Sequence, residues 1–506
     1  MRHIALGWVS LLLVAATANA EWLEASSDHF VIYSDQNEKV VKGFAERLER
    51  FHAAMAHVFV QPQTKPGPSN RVTVFVVSSA AKVRKVIGTK DRYMIGTYIP
   101  RAGSSVALIP RLRHASKYEV SGETILYHEY AHHFMIAGLT TRPYPRWFTE
   151  GFAEFFASVE FREDGSVVLG TAPNYRAAEL MDAPKVAIRK FLAFDGGAGD
   201  SKFTYTSFYG QSWVLFHYLE MAPERAGELT RYQRLLATGR AALEAAEEAF
   251  GDLDKLDKDM DRYMRRATLN ARVVAASTLT LGPITLRKVR PGEAQMMPTV
   301  IESKVGVSRE EALQLLPKAR RIAALYPDDP AVLAALAETE LDAGNEDAAI
   351  AAADRALEID PRQINAHIQK GYALERKVES GALPKESWKE VRAQFIKANS
   401  IENDHPVPLV EFYLSYLEQG QRPTQNAIDA IEWAMELAPF DVSVRWLVAR
   451  QMVSDGRYYE AAQTLGPLAY SAHPDRNSEE ALRLLQDVEA RLARSKQPSP
   501  DPTTVQ

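Results

Sequence analysis

The segment HEYAHHFM, residues 128–135, contains side chains whose types and spacing could bind a metal ion. His128 and His132 are four residues apart, so on a helix their imidazoles lie one turn apart on one face and can converge on one ion. Glu129 lies beside them, within reach of a water molecule on that ion. Because the chain contains no cysteine, the metal would have to be held by His, Asp or Glu. His133 faces away, and we expect it to be a packing or solvent-exposed histidine.

A zinc site of this kind needs a third protein ligand and an open fourth position. The segment PRWFTEGFAEFFA, residues 145–157, offers Glu150 and Glu154 one helical turn apart among Trp and Phe side chains. Burying a carboxylate is costly unless it is paired or bound to a metal. We therefore expect these two glutamates to belong to the metal site. The alternative is that both lie on the exposed face of an amphipathic helix.

The residues around the two histidines are predicted to form a helix. Residues 123–137 are good helix formers, Gly138 can end the helix, and Pro143 and Pro145 prevent its continuation. Upstream, residues 21–121 alternate between strand-like and helix-like apolar patterns, which predicts a small α+β unit. Its predicted strands lie in HFVIYS, RVTVFVV, YMIGTYIP and SSVALIPRL.

Three further regions follow along the chain. Helices dominate residues 122–271, which we interpret as the helical subdomain that carries the metal site. Residues 272–305 are rich in β-forming residues with Pro and Gly, and we interpret them as a β-containing connector. Residues 306–490 are rich in Ala and Leu and predicted to be helical. The last residues, 491–506, are predicted to be a disordered tail.

The helical C-terminal region repeats. Ala, Ala and Pro recur at offsets of 0, 7 and 12 residues, with a period of about 34 residues. This pattern resembles the tetratricopeptide repeat, in which small residues let paired helices approach closely, and it predicts an all-α solenoid. The alternative is an ordinary Ala-rich helical bundle. The three matching sets are Ala349, Ala356 and Pro361; Ala427, Ala434 and Pro439; and Ala462, Ala469 and Pro474.

The first twenty residues, MRHIALGWVSLLLVAATANA, have the features of a secretory signal peptide. A short basic region precedes an apolar stretch, and Ala18-Asn19-Ala20 forms a small-x-small cleavage site, which predicts a mature start at Glu21. The alternative is an N-terminal membrane anchor. We expect an exported protein, in a bacterial periplasm or secreted, with no stable membrane span after cleavage. The net charge of −5 gives no reason to expect a nucleic-acid partner.

HEYAH at 128–132 followed by WFTEGFA at 147–153 resembles the gluzincin metallopeptidases, which include thermolysin and the zinc aminopeptidases. The resemblance implies a thermolysin-like α+β catalytic domain with one zinc ion per chain. It further implies His128, His132 and Glu150 as the zinc ligands and Glu129 as the general base. Glu154 matches the position of a carboxylate that orients a ligand histidine in thermolysin.

A second segment, FYGQSWVLFHYLE at 208–220, resembles the Y-x-x-G-x-x-x-x-x-Y-L-E segment of the aminopeptidase branch. The first tyrosine of that segment donates a hydrogen bond to the tetrahedral intermediate, and Tyr209 matches it. Tyr205, one turn upstream, is an alternative oxyanion donor. The glycine of the family segment is Ser212 here. A purely packing role for Tyr209 is the other alternative.

The chain departs from the aminopeptidase branch in two respects. It contains no Gly-x-Met-Glu-Asn segment before His128, and seventeen rather than eighteen residues separate the second histidine from Glu150. SSVALIP, residues 104–110, occupies the place of the substrate-pairing edge strand but brings no acidic residue. The resemblance therefore favours an endopeptidase over an aminopeptidase.

The expected function is an exported zinc-dependent peptidase that hydrolyses peptide bonds, with Glu129 as general base. Its repeats would recruit a protein substrate or a protein partner. One alternative is a periplasmic repeat-based binding or scaffold protein with a structural or vestigial zinc site. Another is an aminopeptidase. The sequence assigns no cleavage specificity, because the residues of a specificity pocket come from loops that sequence alone cannot assemble.

Overall fold

The computed structural model describes residues 21–61, 65–113, 116–138, 144–193, 207–470 and 476–495. The predicted signal peptide at 1–20, Tyr205 and residues 496–506 of the predicted tail lie outside the described residues. Within these described ranges, no helix is both long enough and apolar enough to cross a membrane.

Strands in the described part of the chain form two sheets. The larger sheet has the order β4-β5-β3-β2-β1-β9, and the smaller one β6-β7-β8. Neighbours β2, β3 and β5 run parallel, whereas the other pairings are antiparallel. The strands are β1 Leu23–Ser26, β2 Phe30–Ser34, β3 Val72–Val77, β4 Thr97–Ile99, β5 Val106–Pro110, β6 Glu160–Phe161, β7 Val167–Leu169, β8 Arg272–Val274 and β9 Thr285–Lys288.

Helices of the first half pack on these sheets and on one another. In the helix Glu38–Phe59, helical spacing puts Val41, Phe44, Leu48, Phe51 and Met55 on the face turned to the sheet, where all five are buried. The helices are α1 Glu38–Phe59, α2 Ala80–Ile87, α3 Gly122–Gly138, α4 Arg146–Ala157, α5 Ala177–Asp182, α6 Ile188–Ala193, α7 Phe208–Met221, α8 Glu228–Ala237, α9 Ala242–Phe250 and α10 Leu253–Met264. A large apolar core joins the sheet and α1 to α3, α4 and α7.

The second half is an all-α array in which each helix packs against the next one along the chain. Alanines of the predicted repeats, such as Ala349 and Ala427, are fully buried, which lets the paired helices approach closely. We call helices α12 to α21 the solenoid. Its helices, and α11 before them, are α11 Pro291–Val305, α12 Arg309–Leu325, α13 Pro330–Asp342, α14 Glu346–Ile359, α15 Ile364–Glu379, α16 Trp388–Ile401, α17 Pro406–Leu417, α18 Gln425–Leu437, α19 Val442–Ser454, α20 Tyr458–Ala469 and α21 Arg476–Ser495.

Residues 272–305, interpreted from the sequence as a β-containing connector, contain β8, β9 and helix α11. β8 pairs with β7, and β9 pairs with β1 at the edge of the larger sheet. Helix α11 then packs against α2 and against the start of the solenoid. The β-forming composition was interpreted correctly, but the partners of these strands are more than a hundred residues away, where local pattern carries no signal.

Two boundaries also differ from the sequence-based expectation. The strand at 104–110 is not an edge strand, because β5 lies between β4 and β3; the edge is β4. Residues 491–495 of the predicted tail are instead the last turn of α21.

Candidate metal centre

Three helices position the candidate site. Helix α3 starts after Ser121, whose hydroxyl accepts a hydrogen bond from the amide of Thr124 at 3.0 Å, a typical N-terminal cap. Helix α4 starts after Pro145 and packs along α7. Gly151 allows this close approach, because a Cβ at this position would lie 2.6 Å from the carbonyl oxygen of Ser212. The glycine that follows Glu150 is therefore required by helix packing.

The structure brings the three expected ligand side chains together. His128 Nε2 lies 3.2 Å from His132 Nε2 and 3.3 Å from Glu150 Oε2. His132 Nε2 lies 3.5 Å from the same carboxylate oxygen. All three residues are buried. In the described part of the chain, this is the one group of three or more His, Asp or Glu residues whose donor atoms could share an ion.

The donor set fits zinc. Zinc bonds to histidine nitrogen and carboxylate oxygen are about 2.0–2.1 Å long, so the donors at the corners of a tetrahedron are about 3.3–3.4 Å apart. The three measured separations lie around this value. Two imidazoles and one carboxylate also leave the fourth corner for water or substrate, as in catalytic zinc sites.

Glu154 orients His128 and is itself held on two sides. Its Oε1 lies 3.2 Å from His128 Nδ1 and accepts a hydrogen bond from Arg176 Nη2 at 2.5 Å. The hydroxyl of Tyr175 donates to Oε2 at 2.9 Å. Burial raises the pKa of Glu154, but Arg176 and His128 outweigh it and lower the pKa to about 2. A carboxylate at this place fixes the imidazole ring and its tautomer.

The electrostatic potential at the donor atoms is negative. Burial lowers the pKa of His128, but hydrogen bonds to Glu150 and Glu154 and their charges outweigh it and raise the pKa to about 10. The same potential favours any positive charge at this point. A divalent cation therefore suits the site in charge as well as in donor geometry.

Glu129 is not one of the three clustered donors, and it is partly exposed on α3. Burial raises the pKa of the Tyr98 phenol on β4, and the negative charge of Glu129 raises it further. Glu129 therefore lies on the side of α3 that faces the edge strand β4.

Tyr209 lies at the start of α7, beside the donor cluster. Its ring centroid is 6.3 Å from that of His128, and its hydroxyl accepts a hydrogen bond from Arg146 Nη2 at 3.4 Å. The guanidinium of Arg176 lies 4.8 Å from the ring centroid. The charge of Glu150, followed by burial, raises the pKa of the tyrosine against the opposing effect of both arginines. The phenol therefore keeps its proton. The alternative, Tyr205, lies outside the described residues.

Sequence reasoning missed Arg146, Tyr175 and Arg176. Arg146 stands four residues before Glu150, and its Nε lies 3.8 Å from Glu150 Oε1, so helical spacing could have identified it. Tyr175 and Arg176 follow strand β7, and their partner Glu154 is more than twenty residues earlier. No local pattern predicts such a contact.

One family match covers this site. Residues 123–242 match a family described as a protein of unknown function, DUF1570. The match covers less than half of the chain, but it contains the three donors, Glu129, Glu154 and Tyr209. None of the curated proteins matches the chain.

Several solved structures are similar to this chain at low sequence identity. TTC0263, titled a thermophilic TPR protein of Thermus thermophilus, is 18% identical, with 40% of this chain and 93% of that chain covered and a TM-score of 0.28. PilF of Pseudomonas aeruginosa is 14% identical, with 41% and 94% covered and a TM-score of 0.31. Yeast Tom70 is 14% identical, with 64% and 73% covered and a TM-score of 0.26. At these TM-scores the likenesses carry no argument, and the all-α repeat array rests on the helix contacts of this chain itself.

Proposed function

We propose that this protein is an exported zinc-dependent endopeptidase whose thermolysin-like catalytic region precedes a tetratricopeptide-type solenoid. The observation that carries the proposal is the triangle of donor atoms from His128, His132 and Glu150, with sides of 3.2, 3.3 and 3.5 Å. Glu129 follows the first donor on the same helix, and Glu154 orients that donor. Ligands, proton acceptor and orienting carboxylate are thus all supplied by two neighbouring helices.

A zinc ion held by these three side chains would supply a Lewis acid that polarises a peptide carbonyl and acidifies water. Glu129 would accept the proton of the attacking water and deliver it to the leaving amine. Glu154 would keep the Nδ1 proton of His128, so that Nε2 stays directed at the other donors.

Tyr209 would act on the oxygen of the scissile carbonyl. Its hydroxyl oxygen accepts from Arg146, which leaves the phenolic hydrogen to be donated to an oxyanion. A hydrogen bond that forms only when that oxygen becomes negative typically lowers the barrier by about 2.7–4 kcal/mol.

The predicted signal peptide and the absence of cysteine support export to a bacterial periplasm or to the medium. The substrate would be a peptide or protein, and the solenoid would offer a surface to a protein partner, because stacked helical repeats form extended binding surfaces.

A second candidate is a repeat-based binding or scaffold protein in which the metal site is structural or vestigial. The solenoid, helices α12–α21, favours it, since it makes up more than a third of the chain. An aminopeptidase is a third candidate, weakened by the missing amine-binding segment.

One experiment separates the three candidates. Purified mature protein is assayed for bound metal and for cleavage of a peptide library with free and with blocked N-termini, with and without chelator. About one zinc per chain and chelator-sensitive cleavage of both libraries are expected. Cleavage of free N-termini only would indicate an aminopeptidase. Bound zinc without any cleavage would contradict both enzyme candidates and leave the scaffold.

A further inference from the structure

The solenoid folds back onto the sheet and holds the turn between β4 and β5. The amide of Ala102 donates to Oδ2 of Asp441 at 2.6 Å, across 339 residues of sequence. The next residue, Gly103, packs so tightly that a Cβ would lie 2.6 Å from Cγ2 of Val407 and 2.9 Å from Cε1 of His405. The tip of this turn is therefore fitted between the starts of α17 and α19.

A second turn is held in the same way. The carboxylate of Glu402 accepts hydrogen bonds from the amide and the hydroxyl of Ser69, both at 2.8 Å. Asn70 Nδ2 donates to the carbonyl of Leu437 at 2.6 Å. This turn precedes β3, and the first turn precedes β5, which runs parallel to β3 as its neighbour. The solenoid thus grips one end of two adjacent strands.

The first turn has a strained backbone. Gly103 has φ of 71° and Ser104 has φ of 107°, a region that residues with a side chain rarely adopt. Such a conformation persists when surrounding contacts hold it. Ser104 Oγ lies 2.7 Å from Thr73 Oγ1 on β3, and Asp441 holds the neighbouring amide. The solenoid supplies part of what maintains the strain.

The loop that contains Asp441 also contacts α3, the helix that carries His128 and His132. Phe440, next to Asp441, packs against the ring of His133 with centroids 4.1 Å apart. His133 Nδ1 is 2.8 Å from the hydroxyl of Tyr98 on the edge strand β4. His133 stands one turn after Glu129 on α3. Two adjacent residues therefore contact two different elements: Phe440 contacts α3, and Asp441 contacts the turn that follows β4.

We propose that the solenoid acts on the first half of the chain in cis: the Phe440–Asp441 loop clamps the β4–β5 turn and fixes the edge strand β4 beside α3. This role goes beyond partner recruitment and does not depend on zinc or on catalysis. Displacement of the solenoid would release the strained turn and loosen β4.

The two carboxylate oxygens of Asp441 have different partners, so one substitution can remove the clamp and keep the helix cap. Oδ1 caps α19 by accepting from the amide of Val444 at 2.9 Å, whereas Oδ2 holds Ala102. Asp441→Ser keeps a capping hydroxyl and removes the clamp. Thr424→Ala is the matched control, since Thr424 caps α18 and is exposed. Amide hydrogen exchange is measured in the full chain, with circular dichroism as the check on helix content.

With unchanged helix content, Asp441→Ser is expected to raise the exchange rate of amides at 97–108 by at least tenfold, and Thr424→Ala to leave them at wild-type rates. Wild-type exchange at 97–108 in Asp441→Ser would overturn the proposal. Equal acceleration in the Thr424→Ala control would overturn it too, since the effect would then be general loosening of the solenoid.

Discussion

The Nδ1 atom of His128 lies 3.2 Å from Oε1 of Glu154, so the ring is fixed from the side opposite the donor cluster. The carboxylate has its own fixed position, because Arg176 and Tyr175 both donate to it. The contact of Glu154 with His128 and the two hydrogen bonds that hold Glu154 thus determine the direction of His128 Nε2. A contact of this kind between a histidine and a carboxylate raises the basicity of the ligand nitrogen and tunes the affinity for the metal.

Loss of Arg176, which holds Glu154, should weaken zinc binding without removing a ligand. Arg176→Met is expected to reduce zinc affinity by about 10- to 100-fold, as is typical for partners of ligand histidines. The affinity is measured by competition with a chromophoric chelator. Tyr175→Phe removes one hydrogen bond and should have a smaller effect. Arg189→Met, at an exposed arginine paired with Glu247, is the control; an equal loss there would contradict the assignment.

Removal of any one donor should abolish tight zinc binding. His128→Ala, His132→Ala and Glu150→Ala are each expected to remove most of the bound zinc, because two donors cannot hold the ion against chelators. Metal analysis after dialysis checks this. His57→Ala, at an exposed histidine on α1, should keep full occupancy. A variant of the three that retains all of its zinc would show that its residue is not a ligand.

Most of the donor cluster could be predicted from sequence, because its members lie on two helices. Four-residue spacing places His128 above His132 and Glu150 above Glu154, and apolar neighbours predict burial. A longer period, of about 34 residues, predicted the paired helices of the solenoid in the same way. Where function depends on one face of one helix, local pattern contains the necessary information.

The remaining contacts could not be predicted, because they join distant parts of the chain. Arg176 reaches Glu154 from another element, β9 pairs with β1 across about 260 residues, and Glu402 bonds Ser69 across 333. These contacts depend on how distant elements pack together, and no local pattern in the sequence predicts that packing. The edge strand expected at 104–110 was misplaced for the same reason, since β4 pairs outside β5.

Glu129 should be essential for turnover but not for zinc. Glu129→Gln is nearly isosteric and removes only the proton acceptor, so zinc content and melting temperature should stay at wild-type values while peptide cleavage is abolished. Glu163→Gln, at an exposed glutamate, is the control and should keep full activity. Cleavage by Glu129→Gln within a few-fold of wild type would exclude Glu129 as the general base.

Tyr209 should matter only in the transition state. Tyr209→Phe removes the hydroxyl and little else, so zinc content should hold while kcat falls by about 10²- to 10³-fold at nearly constant KM. Tyr205→Phe is the internal control. If Tyr205→Phe loses activity and Tyr209→Phe does not, Tyr205 is the donor and the alignment is shifted by one turn. If neither variant loses activity, another group stabilises the oxyanion.

A buried carboxyl group in the solenoid, that of Glu375, is expected to make the stability of the solenoid depend on pH. Burial raises the pKa of Glu375, and its hydrogen bond to the Glu418 carboxyl and the charge of Glu411 raise it further. A folded-state pKa above the unfolded value means that the folded chain binds the proton more tightly. The contribution is therefore fully present below the unfolded pKa, about 4.3, and is lost as pH rises through the folded pKa.

Glu375→Gln should remove this dependence, because the amide is uncharged at every pH and can still donate to Glu418. The melting temperature of the variant is expected to exceed that of wild type at pH 8, with a smaller difference at pH 5. Thermal unfolding followed by circular dichroism at both values measures it. Glu386→Gln, at an exposed glutamate in the same repeat region, should show no such pH-dependent gain. A difference that is equal at pH 5 and pH 8 would contradict the prediction, because Glu375 would then be ionised in the folded chain throughout this range.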